Sequence, residues 1–173
     1  MNTKFIKDYE KFTPNEYKWF ECIIRLLRNH ELRYCFWGRI NESTRGKLLK
    51  QISLHKLRVY RKKYGLEMNF NNIGGGIRLI HPWMITVNHN AKLGENVTLY
   101  GGGTIGEILS GEKKGNPIIE DNVVVYANAT ICGNVKISEN SIIAAGSFVN
   151  FDVPPNSLVI GNPGVIHANN SKV

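Results

Sequence analysis

No apolar run in this 173-residue chain approaches the roughly 18 residues of a membrane-spanning helix, so none is expected. The first residues, Met1-Asn2-Thr3-Lys4-Phe5-Ile6-Lys7-Asp8, lack the apolar centre of a secretory leader, and a cytoplasmic location is expected. Cysteine is scarce. Cys22, Cys35 and Cys132 are an odd number and have no metal-ligand spacing, which points to reduced thiols rather than a disulfide framework. Nor do His, Asp and Glu cluster at ligand spacing, so no metal is expected. Acidic residues are few, 14 against 22 basic, for a net charge of +8. Between Arg45 and Lys63 there is no acid at all, while Lys47, Lys50, Lys56, Arg58, Arg61 and Lys62 lie in that interval. Such a stretch is either a solvated face or a contact for an anionic partner. No nucleic-acid-binding motif accompanies it, so nucleic acid is not an expected partner.

Up to about residue 64 the chain reads as helical. Thr13-Pro14-Asn15-Glu16 has the form of a capping box with proline at the first helical position. Phe20, Ile23, Ile24 and Leu27 follow at helical spacing. Residues 31–41 are rich in aromatics and fit a short helix or a packed connection. A further helix is expected from near Ser43 toward Tyr60, with Leu48, Ile52 and Val59 along one side. His30, near the expected end of the first helix, and His55 read as structural or solvated. At Tyr64-Gly65-Leu66 glycine and asparagine become frequent and lysine and arginine thin out. The expected division is a helical region 1–64, a repeat domain 65–153 and a capping tail 154–173.

The repeat has a step of six. Val87, Leu93, Leu99 and Ile105 form one run, and Ile119, Val125, Ile131, Ile137, Ile143 and Val149 a second, with eight extra residues between the runs. Ile73 and Leu79 extend the step upstream, and two extra residues separate Leu79 from Val87. One aliphatic residue at a short fixed step marks a parallel β-helix in which that residue points into the stack. The turns contain residues that tolerate left-handed backbone, as in Asp121-Asn122, Gly133-Asn134 and Glu139-Asn140. A β-helix presents a regular wall, so chemistry is expected where the register breaks. The first break carries His81-Pro82-Trp83. The second, from Gly106 to Pro117, is a polar excursion suited to a flap.

Gly76-Ile77-x-Leu79-x-His81, Ile85-x-Val87-Asn88, the hexads, Val153-Pro154-Pro155 and Gly161-Asn162-Pro163-Gly164-Val165-Ile166 together resemble the hexapeptide-repeat acyltransferases. The resemblance is to the serine acetyltransferase-like branch, and within it to short members of exopolysaccharide and capsule clusters. It implies a mainly β chain, a left-handed parallel β-helix with an α-helical N-terminal extension. It also implies a homotrimer and acetyl-CoA bound between neighbouring subunits. His81 falls on the family's catalytic histidine and would act as general base toward an acceptor hydroxyl. Gly106, Ala127, Ala145 and Gly146 match small residues along the pantetheine arm, where backbone amides would also steady an oxyanion. Lys113 and Lys114 are candidates to meet CoA phosphates. Trp83 and Asn88 are expected to shape the acceptor site. His89, His167 and Cys132 have no matched role.

Three positions depart from serine acetyltransferases. Ile80 stands where they have an aspartate, Gly115-Asn116 where they have an Arg-His pair, and Leu66 where they have the aspartate that orients the histidine. Glu67, next to Leu66, is a candidate to orient His81 instead. From the lost charges, the expected acceptor is a hydroxyl of a sugar or lipid-linked sugar precursor in surface-polysaccharide synthesis. The basic helix would then make peripheral contact with an anionic membrane face. The alternatives are a serine O-acetyltransferase of cysteine synthesis and a non-catalytic β-helix scaffold.

Overall fold

The computed structural model describes residues 2–13 and 18–168. Four helices come first: α1 (Thr3–Phe12), α2 (Trp19–Arg28), α3 (His30–Ser43) and α4 (Lys47–Tyr64). Asn2 caps α1 by accepting from the Lys4 amide at 2.9 Å. Pro14, Asn15 and Glu16 of the expected capping box lie outside the described residues, and Thr13 closes α1. α4 stops at Gly65, whose φ of +66° directs its amide to the Arg61 carbonyl at 3.0 Å.

The aromatic stretch that fitted either a short helix or a connection is α3, and it is the centre of the helical region. It packs against α1, α2 and α4 and buries Leu32, Tyr34, Cys35, Gly38 and Arg39. A helix covered on several sides has no single apolar stripe, so its period is weak. The two stripes that were legible face outward. Phe20 is 64% exposed, Leu27 72% and Leu48 77%, and Ile23, Ile24, Ile52 and Val59 are exposed beside them. Cys22 on α2 and Ser53 and Tyr60 on α4 are buried instead. Amphipathic spacing identifies a face; it does not say what covers it. His30 begins α3 rather than ending a helix, because the chain turns at Asn29.

From residue 66 the chain winds into coils with three faces. The first face stacks Arg78–Ile80, Thr98–Tyr100, Val124–Val125, Ile142–Ile143 and Ser157–Ile160 in parallel. The second stacks Thr86–Val87, Thr104–Gly106, Thr130–Cys132 and Phe148–Val149. The third stacks Lys92–Leu93, Ile118–Ile119 and Lys136–Ile137. This is the expected left-handed parallel β-helix with a helical extension.

Every aliphatic residue of the six-step register is buried, from Ile73 through Leu99 and Ile131 to Val149. Each such side chain, fully buried, contributes about 1.5–3 kcal/mol. A second inward row runs two residues earlier, through Ile85, Ala91, Val97, Val123, Ala129 and Val135, and ends in the buried Ser141 and Ser147. Asn96, Asn122, Asn128, Asn140 and Asn156 take left-handed φ at the corners. Three of them form a ladder: Asn122 Nδ2 donates to Asn140 Oδ1 at 3.1 Å, and Asn140 Nδ2 to Asn156 Oδ1 at 3.2 Å.

The first coil has no coil above it, so its backbone needs other partners. Asp8 of α1 and Arg39 of α3 supply them, with side chains 0% and 1% exposed. Asp8 Oδ1 accepts from the amides of Gly76 (2.8 Å) and Ile77 (3.0 Å). Arg39 Nη1 donates to the Ile73 carbonyl at 2.9 Å, and Nη2 donates to that of Gly74. The two side chains join through Arg39 Nε and Asp8 Oδ2 at 2.8 Å. Burial pushes the Asp8 carboxyl up from the usual carboxylate range, while Arg39 and the two amides pull it down. At the other end the parallel stack closes with Val165–Ala168, which pairs antiparallel with Ser157–Ile160.

Candidate active site

His81 follows the first strand, at the corner between the first and second faces. Its φ is +48°, and that of Met84 is +54°. Two non-glycine residues in the left-handed region within one short bulge are strained, and such strain persists only where neighbours hold it. The glycines of the next coil hold it from below. Gly101 N donates to the Ile80 carbonyl at 3.0 Å, and Gly102 N to the Trp83 carbonyl at 2.7 Å. A Cβ at Gly101 would lie 2.3 Å from the His81 carbonyl oxygen, so only glycine fits there. Within the bulge, Trp83 N donates to the His81 carbonyl at 2.8 Å. The imidazole is exposed, and among the described residues no hydrogen bond reaches it. Trp83, 57% exposed, and Met84 give the corner an apolar rim.

Below His81 the same corner repeats as Gly101-Gly102, Ala127-Asn128 and Ala145-Gly146. The turns are tied in sequence: Asn128 N donates to the Gly101 carbonyl at 3.1 Å, and Gly146 N to the Ala127 carbonyl at 2.9 Å. The Gly146 amide is therefore taken up by the stack and is not an oxyanion donor. With coils roughly 4.8 Å apart, the column runs about 14 Å from His81 to Ala145. Small side chains along it would let an extended ligand lie against backbone. Gly101 and Gly102 belong to this column, and the run Gly101-Gly102-Gly103 was their signal in the sequence.

Other expected site residues lie elsewhere in the same chain. Gly106 ends a strand of the second face and precedes the next corner. Asn88 is at that corner too, where its Oδ1 accepts from Asn90 N at 2.9 Å and closes its own turn. The excursion after Gly106 is an ordered hairpin: Ile108 and Gly115 exchange amide–carbonyl bonds of 3.0 and 2.9 Å. The Lys113 carbonyl accepts from Asn134 N at 2.9 Å and ties the hairpin to the following coil, while the Lys113 and Lys114 side chains face solvent. Within the chain, then, His81, Ala127, Ala145 and Gly146 share one corner, and Asn88 and Gly106 lie across the second face from it.

Glu67 does not orient His81 within the chain. It sits on the second face, bridged to Thr86, and its carboxylate pairs with Arg61 Nη2 at 3.1 Å. Leu66 faces the core, and the alternation of a strand turns the next residue outward. His89 is exposed and is held by Asn69 and Asn72 through its carbonyl. Burial raises the Cys35 and Cys132 thiols above their ordinary range. Among the described residues, no helix is long and apolar enough to cross a membrane, and no group of three His, Cys, Asp or Glu could hold a metal ion.

Residues 116–150 match the model for "Bacterial transferase hexapeptide (six repeats)". A Staphylococcus aureus serine acetyltransferase is 38% identical over 94 residues, 54% of this chain and 44% of its own length. A putative serine acetyltransferase of Schizosaccharomyces pombe is 32% identical over 101 residues, 58% of this chain and 37% of its own. The chain thus spans about four-tenths of the curated relatives it matches. Among solved structures, Neisseria gonorrhoeae serine acetyltransferase in complex with serine superposes with a TM-score of 0.77 at 28% identity. It covers 95% of this chain and 68% of the other. The soybean apoenzyme gives 0.76 at 26% identity, with the same coverage. These findings overturn the expected sugar acceptor and its place in surface-polysaccharide synthesis, because the similar proteins, in sequence and in structure, are serine acetyltransferases. The expectation rested on charges missing at Ile80 and Gly115-Asn116, and a missing charge does not identify a different acceptor. By repeat, sequence and fold, the chain is similar to hexapeptide-repeat proteins of the serine acetyltransferase-like branch.

Proposed function

We propose that the chain is an acetyl-CoA-dependent O-acetyltransferase whose acceptor is the hydroxyl of serine. The observation that carries this is the His81 corner, an exposed imidazole at the head of a column of small-residue turns. A neutral imidazole nitrogen takes the serine Oγ proton as oxygen attacks the thioester carbonyl. The tetrahedral intermediate collapses, the C–S bond breaks, and the CoA sulfur leaves with a proton returned from the imidazolium. The products are O-acetylserine and free CoA. Ala127, Ala145 and Gly146 flank the pantetheine arm, and Trp83 shapes the acceptor side. With neutral residues at Ile80 and Gly115-Asn116, serine is held by fewer charges, so a high KM for serine is expected. The test is thiol release from acetyl-CoA with and without L-serine. Serine-dependent release that saturates only at high serine supports the proposal; release that ignores serine at every concentration defeats it.

The working form is a homotrimer in the cytoplasm. One protomer separates the His81 corner from the hairpin corner by a whole face. A closed three-fold ring joins unlike surfaces of neighbouring copies, so one copy's His81 corner can meet the next copy's Asn88 and Gly106. The exposed Leu48, Ile52 and Val59 between cations on α4 also suit peripheral contact with an anionic lipid surface. Flotation with anionic vesicles at physiological salt should carry the chain upward, and no flotation would remove membrane contact from the proposal.

A further inference from the structure

We propose that Tyr64, the last residue of α4, is a positioning residue for His81; this rests on His81 being the general base. The imidazole has no hydrogen bond among the described residues, so its direction is set by the backbone of the bulge. That backbone is gripped from two sides. The glycine turn at Gly101-Gly102 holds it from within the β-helix. From the helical region, the Tyr64 carbonyl accepts from Met84 N at 2.9 Å, and the Tyr64 ring meets Trp83 at 5.3 Å and 70°.

Tyr64 is itself clamped. His30 stacks on it at 4.9 Å and 16°, Tyr60 at 5.6 Å and 30°, and Lys63 Nζ lies 5.1 Å from the ring centroid. The following residue adds to the grip, since a Cβ at Gly65 would fall 2.7 Å from Met84 Sδ. The starts of α3 and the end of α4 therefore converge on one ring, and that ring abuts the bulge two residues after His81. His81 and Met84 both hold positive φ, a geometry that relaxes once its support is removed. Removing the ring frees Trp83 and lets the imidazole sample directions away from the acceptor. The helical region thus has a part in catalysis that the β-helix alone does not supply.

Tyr64→Leu and Tyr64→Phe in the full chain test this, with thermal unfolding as a control for folding. Leucine is expected to lower kcat roughly 10- to 100-fold, as misplacement of a catalytic group does, with KM for acetyl-CoA little changed. Phenylalanine keeps the ring and should restore kcat to near the parent value. In protein labelled with 5-fluorotryptophan, the Trp83 resonance, assigned through Trp83→Phe, should shift with leucine and stay in place with phenylalanine. An unchanged kcat and an unshifted resonance with leucine overturn the proposal, as does an equal loss with phenylalanine. If His81→Asn is fully active, the general-base reading fails instead, and Tyr64 loses its role. If His81→Asn is inactive while Tyr64→Leu is unimpaired, only the role of Tyr64 fails.

Discussion

His81→Asn is expected to lower kcat for acetyl transfer by roughly 10²- to 10⁴-fold, the usual contribution of a general base, with CoA affinity and thermal unfolding preserved. The choice of asparagine follows from the backbone. His81 sits at φ +48°, where most side chains are strained but asparagine is tolerated. Alanine would combine loss of the base with a backbone cost of about 1–2 kcal/mol, and the bulge could shift for that reason alone. The carboxamide is close in size to imidazole and does not accept a proton at neutral pH. A loss seen as higher KM for acetyl-CoA at constant kcat would assign His81 to binding rather than proton transfer. CoA titration by calorimetry, kinetics and unfolding on the same preparation separate these outcomes.

The second large effect is on stability. Arg39→Met should destabilise the chain by about 3–5 kcal/mol, because it leaves a buried carboxylate uncompensated, and urea unfolding at fixed protein concentration measures it. An isolated buried ion pair can often be replaced on both sides by apolar residues with little loss. Here that remedy should fail. Asp8 and Arg39 also serve the amides of Gly76 and Ile77 and the carbonyls of Ile73 and Gly74. The combined Asp8→Leu and Arg39→Met variant leaves the Gly76 and Ile77 amides and the Gly74 carbonyl without these partners, at about 1–3 kcal/mol each, while the Ile73 carbonyl keeps Lys4 Nζ at 3.2 Å. The double variant should therefore stay well below the parent. Recovery to parental stability would show that the pair does not cap the β-helix.

The repeat could be read from the sequence because one hexad writes one inward aliphatic, and Val87, Leu99, Ile131 and Val149 all fell where the step put them. Left-handed corners were legible for the same reason: Asn122 and Asn140 mark positions other residues avoid. The Asp8–Arg39 cap was not legible, since nothing local ties residue 8 to residue 39. The stripes of α2 and α4 were legible, but that they face outward was not, because spacing shows a stripe and leaves its covering open. His81 stood out as a break in register, yet its supports at Gly101 and Tyr64 arise only when coils stack and α4 docks. Glu67 illustrates the limit of counting along a chain: one residue's shift put its carboxylate on the face of Arg61 rather than toward the imidazole.

The central claim, acetyl transfer from CoA to serine at His81, is tested most directly by the identity of the product. Parent and His81→Asn chains incubated with acetyl-CoA and L-serine would be followed by mass spectrometry of the amino acid and by free CoA in the same samples. The account predicts O-acetylserine and CoA in equal amounts from the parent, and neither above background from the variant. Unmodified serine alongside released CoA, or equal O-acetylserine from both chains, would contradict it.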